Sequence, residues 1–482
     1  MLNPVDNNAA RRPSLTELCS ITRLSSGEPC IGRRIQLNFL WAGAGRLLSV
    51  VFLFLLHTLL ARQLPAADYG RYILLESVTL VTSLLILAGL PAVSLRLIRS
   101  NLATGNDSAV NDTVKTSLGI MGGTSLLTAF GLFAVAFSTR DHVFGGVLWQ
   151  YLGWILIWAT CAALLRMVSE LARGCQMLGF SYLVGGQSGG FGVNGILLCS
   201  VLAVGVIYGL SFGIVLWIQI AIQFLCVTGA LTLIVRATST PRSLEPFGQK
   251  KLRVRQFLQS SVPLLIQQLV AFGLPEADTM LLGSHSSAEE IAIYGSAKKL
   301  VFLGAVPLLL VNHAVQPFIV DFYSKRDSRQ LTTLVRGTAT FAGIPSFFVL
   351  LLMFSFPEFI LGTLFGEGYS LAATPLRVLC VGAAGFVLTG SCGLVLVMTG
   401  HERTAMWSSV AIGLAYLIAA PLLILRYGIY GAAISAAGLQ ICSNLSAMLL
   451  VFYHERIWTG ITFSRTIAGH CLKLIFSKEK NQ

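Results

Sequence analysis

Charged and strongly polar side chains sit inside runs that are otherwise apolar. Arg46 and His57 stand in the run 36–61, Glu76 in 69–92, and Glu276 and Asp278 in 257–283. Lys298 and Lys299 stand in 291–319, and Arg377 in 371–398. A charge at mid-bilayer costs at least about 2.5–3.5 kcal/mol, so it is kept only against a cavity or a partner. Arg46 lies too deep in its run to reach the surface easily. Its planar fork can donate two parallel hydrogen bonds to a phosphate and stays charged at any cellular pH. The competing reading is a structural pair with an acid on a neighbouring helix. His57 is eleven residues on, about 16 Å along the same helical face, and reads as a hydrogen-bonded interfacial histidine.

Lys298, Asn312 and Gln316 fall on one helical face, since 18 residues make five turns. The stripe runs about 27 Å, nearly the thickness of the hydrocarbon core. Lys299 and His313 flank it. Its length points to a cavity wall, with interhelical hydrogen bonding as the alternative. Arg46, Lys298, Lys299, Arg377, Asn312 and Gln316 are therefore the candidate substrate contacts. Glu76, Asp278 and Glu276 are candidates for ion coupling or for pairing with Lys298, Lys299 or Arg377, and both readings stand at this point. Gln267 shares a face with Asp278, and Pro263 and Pro275 allow their helix to bend. Arg166 and Glu170, one turn apart, read as an interfacial pair.

No catalytic constellation is present, neither HExxH nor GxSxG, and the ten cysteines contain no CxxC pair. No metal and no cofactor is expected. Gly185, Gly186, Gly189, Gly190 and Gly195 carry GxxxG spacing, which in a membrane helix signals close packing rather than a phosphate loop.

These side chains require spanning helices to hold them. Of 482 residues, 55% are hydrophobic and 11% charged, far below the roughly 25% charge of soluble domains. About twelve runs reach spanning length, at 36–61, 69–92, 114–138, 144–168, 181–208, 211–235, 257–283, 291–319, 332–356, 371–398, 404–425 and 428–453. With both termini cytoplasmic, 26 of the 34 Lys and Arg residues fall inside, seven outside, and Arg46 within the first span. The +13 charge is thus a topology signal, and no nucleic-acid partner is expected. The segment before Arg34 is polar and basic, and no cleavable signal peptide is expected. The predicted organisation is a cytoplasmic segment 1–35, a six-helix bundle 36–235, a basic cytoplasmic link 236–256, a second six-helix bundle 257–454 and a cytoplasmic tail 455–482. The two bundles look like repeats. The stretch Leu59 to Tyr72 has a counterpart in Leu281 to Tyr294, and Tyr208–Gly213 has one in Tyr427–Gly431, at nearly one offset. Because six is even, the halves are parallel repeats about a pseudo-two-fold axis along the membrane normal, with spans one, two, seven and eight around a shared path.

Several stretches taken together resemble one family. Leu60-Ala-Arg-Gln-Leu-Pro-Ala-Ala-Asp-Tyr-Gly70 is similar to the first hairpin of the polysaccharide-transporter (O-antigen/oligosaccharide flippase) family. That family belongs to the multidrug/oligosaccharidyl-lipid/polysaccharide exporter superfamily. Asp278-Thr-Met-Leu-Leu-Gly283, Ile293-Tyr-Gly-Ser-Ala-Lys-Lys-Leu300, Leu364-Phe-Gly-Glu-Gly-Tyr369 and Thr399-Gly-His-Glu-Arg403 follow in the family's order. The resemblance implies an all-α polytopic protein of the cell (inner) membrane. It implies flipping of a lipid-linked oligosaccharide on a pyrophosphate, with membrane lipid, glycosyltransferases and a polysaccharide polymerase as partners. Cation-coupled drug exporters of the same superfamily often use an acid in the first helix. Here Leu37 to Ala61 holds Arg46 and no acid, which favours an anionic substrate. A membrane sugar polymerase or ligase would need a large outer loop, and the loops here are short.

Overall fold

The computed structural model describes residues 31–103, 107–140, 143–175, 193–209, 211–238 and 261–460, with 181, 184 and 257 between them. The backbone alone is described at 31–46 and at a few other positions, His313 among them. The segment 1–30, most of the link 236–256, the tail beyond 460 and most of the Gly185–Gly195 glycines lie outside the described residues.

The described chain is all-helical. In the first half, α1 (Ile31–Gln63), α2 (Ala66–Leu87), α3 (Leu90–Ala103) and α4 (Asp107–Ser138) are followed by α5 (Val143–Gln150), α6 (Leu152–Gly174), α7 (Val193–Tyr208) and α8 (Phe212–Thr238). The second half opens with α9 (261–268), a π-turn Leu269–Gly273 and a 3-10 turn Leu274–Glu276. Then come α10 (Ala277–His285), α11 (Ala288–Ser324), α12 (Ser328–Ser355) and α13 (Pro357–Phe365). A 3-10 turn (Glu367–Ala372), α14 (Ala373–Thr389), α15 (Cys392–Met398), α16 (Glu402–Tyr427) and α17 (Ile429–Glu455) complete it. Nine of the described helices are long and apolar enough to cross a membrane.

Two expected spans break at residues of positive φ, and 144–168 is interrupted at Tyr151, between α5 and α6. The run 69–92 ends at Leu87 because Ala88 and Gly89 turn left-handed (φ 47° and 75°), and the chain continues as α3. A side chain at Gly89 would meet the Ser261 carbonyl at 2.3 Å, so the break lets the start of α9 pack against it. The run 371–398 breaks at Gly390 (φ 68°), where Thr459 packs and donates to the Thr389 carbonyl at 2.9 Å. The seventh span bends as its prolines allow, through the π-turn and the 3-10 turn that carries Pro275.

The apolar cores show how the halves meet. At the end holding the α1–α2 and α10–α11 turns, one cluster crosses from half to half, from Leu56, Tyr69 and Ile73 to Tyr294, Leu300 and Phe365. At the opposite end each half keeps its own cluster. One is built on Ile86, Val114, Met167 and Leu171, the other on Ile319, Val335, Leu396 and Val451. The start of the seventh span is the exception, since Phe257 and Leu264 pack on the first half's cluster. Helices in lipid gain little from burying apolar surface and associate through close packing at small residues. A Cβ at Gly70 would lie 1.7 Å from the Ala288 carbonyl oxygen, and one at Gly295 would lie 2.5 Å from Ile73. Here α2 and α11 touch backbone to backbone.

Candidate functional site

The joined end is bound by an ion network. Lys298 and Lys299 are consecutive on α11, so their side chains leave about 100° apart. Lys299 crosses to the first half and bonds Glu76 of α2 at 2.9 Å. Glu76 also lies 3.4 Å from His57 of α1, a buried ring that packs edge-on to Tyr69 and Tyr72. Lys298 turns into its own half and meets Asp278 at 2.8 Å and Glu276 at 3.2 Å. It also donates to the Pro275 carbonyl at 2.6 Å, an oxygen at the irregular turn, where helix breaks in a membrane must find new partners. Ser77 of α2 donates to Glu276 at 2.8 Å, so both lysines belong to one network spanning the halves.

Asp278 is the most enclosed of the three carboxylates, 1% exposed. It sits in the first turn of α10, where the helix dipole favours an anion. It accepts from Lys298, from the Tyr294 hydroxyl and from the backbone and hydroxyl of Thr279. A buried charge survives only when so satisfied. The network holds two lysines against three carboxylates, with the buried His57 ring set beside Glu76.

Above this network lies a second clasp. Arg62, at the end of α1, donates to the backbone carbonyls of Thr363 and, at 2.9 Å, Leu364 at the end of α13. Phe54 meets Phe365, and Tyr69 meets Tyr369, in edge-on ring pairs across the halves.

A cavity of about 470 Å³ lies inside the second half. Gln267, Asp278 and Lys298 line one side of it, and Phe302, Leu396, Tyr416, Gln440 and Asn444 line the rest. Of the four spans expected around a shared path, seven and eight line this cavity. The tenth, eleventh and twelfth complete it.

The remaining candidates are placed as follows. The side chain of Arg46 lies outside the described residues, although its backbone is helical in α1. Asn312 accepts a hydrogen bond from Ser391 at the break between α14 and α15, which is the interhelical alternative for that position. Neither Asn312 nor Gln316 lines the cavity with Lys298. Arg377 is half-exposed and pairs with Glu358 at 3.1 Å, away from Glu76. Glu170 pairs with Arg173 at 2.7 Å rather than with Arg166, which lies over the Phe272 ring at 5.5 Å. Arg62, Ser77, Thr279 and Tyr294 carry much of the geometry and were not singled out as site residues by the sequence. Arg62 and the 364–369 stretch stand in the recognised motifs, but nothing in one sequence couples positions 302 apart. Among the described residues, no set of three His, Cys, Asp or Glu side chains is grouped to hold a metal ion.

The MatE family pattern matches residues 263–425. No curated protein matches the chain by sequence. Among solved structures, the chain is similar to an inward-facing multidrug resistance MATE family transporter of the MOP superfamily, with TM-score 0.68 and 13% identity over 85% of this chain and 94% of that one. It is similar to the lipid II flippase MurJ in an inward closed conformation, with TM-score 0.60 and 12% identity over 90% and 91%. It is also similar to a MOP superfamily transporter from Pyrococcus furiosus described with a binding pocket of reversed polarity, with TM-score 0.54 and 15% identity over 87% and 93%. The chain has the two-lobed, polytopic fold of these transporters.

Proposed function

We propose that this chain is an alternating-access transporter that flips an amphipathic anion, a lipid-linked saccharide on a pyrophosphate, across the cell membrane. The observation that carries the reading is the asymmetry of the core: the halves share one cluster at one end and keep separate clusters at the other. In the topology with both termini cytoplasmic, the shared end is the outer one. The Lys299–Glu76 bridge, the Ser77–Glu276 bond and the Arg62 clasp then form an outer seal. When the seal parts, Glu76 keeps His57 beside it in the first half and Glu276 keeps Lys298 in the second, and Lys299 is left to face the opened path. Arg46, on the first span, is the cation assigned to the pyrophosphate. Lys298 and Lys299 belong first to the seal and reach substrate only when it opens.

A second reading is a cation-coupled exporter of small molecules. It is favoured by the MatE match and by the cavity of about 470 Å³, a size that suits a drug-like molecule. One experiment separates the two. The native chain, Arg46→Ala and Arg46→Lys are expressed in a strain lacking its polysaccharide flippase and in one lacking its drug exporters, with membrane abundance measured. Surface polysaccharide should return with the native chain, partly with Arg46→Lys and not with Arg46→Ala at equal abundance. Full restoration by Arg46→Ala, or drug resistance without polysaccharide, would overturn the first reading.

A further inference from the structure

A groove of about 560 Å³ runs along the outside of the second half, between the start of α16 and the end of α17. Arg403, Thr404, Trp407, Leu449 and Leu450 form its sides. Its floor is the pair Ser408–Ser446, whose hydroxyls meet at 2.6 Å. Ser408, Ser446 and Leu450 also line the cavity inside the bundle. The groove and the cavity are therefore separated by a wall one side chain thick.

The surroundings specify the occupant. Trp407 is 66% exposed and Leu449 61%, and the same helices present Ile418, Leu422 and Tyr453 outward. This is a lipid-facing surface. Arg403 stands one turn before Trp407 on the same helical face. It is exposed and makes no ion pair or hydrogen bond among the described residues. A guanidinium matches a phosphate bidentately, and a tryptophan beside it is an interfacial anchor. A water-soluble anion would have no use for the apolar walls, and a neutral lipid none for Arg403. The wall itself is weak. Two serines satisfying each other across a lipid-facing seam are small, uncharged and held by one hydrogen bond.

We propose that this groove docks an anionic membrane lipid of the cytoplasmic leaflet, its phosphate on Arg403 and its chain along Trp407 and Leu449. When the Ser408–Ser446 contact opens, the chain passes laterally into the cavity. The proposal requires the membrane fold but not the substrate reading given above.

The test uses the purified full chain in a cysteine-free background, reconstituted into bilayers. A bimane label at Leu449→Cys reports on the groove, and one at Ala447→Cys reports on the cavity. Chain-brominated phosphatidylglycerol should quench the groove label at about fivefold lower mole fraction than brominated phosphatidylcholine, as one basic residue at an anionic surface supplies. Arg403→Gln should erase that preference, and Arg403→Lys should keep most of it. Millimolar inorganic phosphate should leave it unchanged. Brominated phosphatidylglycerol should also quench the Ala447 label, and Ser408→Phe, which fills the seam, should protect it. Equal quenching by both lipids, a preference that survives Arg403→Gln, or displacement by phosphate would overturn the docking site. An Ala447 label that no lipid reaches would overturn the passage. Elution as a single species shows that each variant is folded.

Discussion

Gly70 offers a sharp perturbation of the proposed seal. Its missing Cβ would stand 1.7 Å from the Ala288 carbonyl oxygen and 2.7 Å from the carbonyl carbon. Those are backbone atoms of α11, so no rotamer change relieves the clash. To restore ordinary contact α2 and α11 must part by roughly 1.5–2 Å. That movement would stretch Lys299–Glu76 and Ser77–Glu276, now at 2.9 and 2.8 Å, beyond hydrogen-bond range. Overpacking a well-packed interface costs about 1–3 kcal/mol. An outer-open state would escape that cost, so the closed-to-open ratio should fall by about 5–150-fold. Ser296, buried one turn beyond Ala292 on the same face of α11, is the reporter. In a cysteine-free background, Ser296→Cys should react slowly with an impermeant maleimide applied from outside. Gly70→Val should speed that reaction at least about fivefold and abolish transport, with Gly70→Ala between the two. Gly213 has no atom within 4 Å of its Cβ position, so Gly213→Val should change neither readout. Native labelling and native transport in Gly70→Val would refute the reasoning.

Lys299→Met should lose about 3–5 kcal/mol of stability because it strands Glu76 beside a buried His57, and Lys299→Met with Glu76→Gln should recover much of it in detergent melts. Asp278→Asn should lower membrane abundance more than Glu358→Gln, since Asp278 holds four donors at 1% exposure whereas Glu358 is an exposed partner of Arg377. Arg62→Ala should weaken the outer clasp without stranding a charge, so Ser296→Cys should label faster with abundance unchanged. A cysteine at Lys250 should stay unlabelled from outside in intact cells and react once they are opened.

Much of the fold was legible because spanning length and polar periodicity are local properties. The run around Lys298 reads as a polar stripe on a helix, and α11 is that helix. The break at Ala88–Gly89 was not legible. Alanine favours helix, and the left-handed turn at Ala88 is held by tertiary packing of the seventh span against Gly89. Pairing was legible only as alternatives. The charges of Glu76 and Lys299 ask for partners, but their contact spans 223 positions, and one sequence carries no signal at that range. Helical spacing pointed Glu170 to Arg166, one turn before it. The structure selects Arg173 because Arg166 is drawn to the Phe272 face. The cavity within the second half depends on how α9, α11, α14, α16 and α17 converge, which periodicity does not encode.

The central claim is that the outer seal between α2 and α11 must part for transport to proceed. Ile73 touches the Cβ position of Gly295 across that seam, with its own side-chain carbons 2.5 and 3.0 Å away. Cysteines at these two places, Ile73→Cys and Gly295→Cys, are therefore within reach of a disulfide. The measurement is transport by this double variant, oxidised and then reduced, in whichever complementation assay the native chain supports. The account predicts that oxidation arrests transport and that reductant restores it, with each single variant active under both conditions. Full transport by the quantitatively oxidised pair would contradict it.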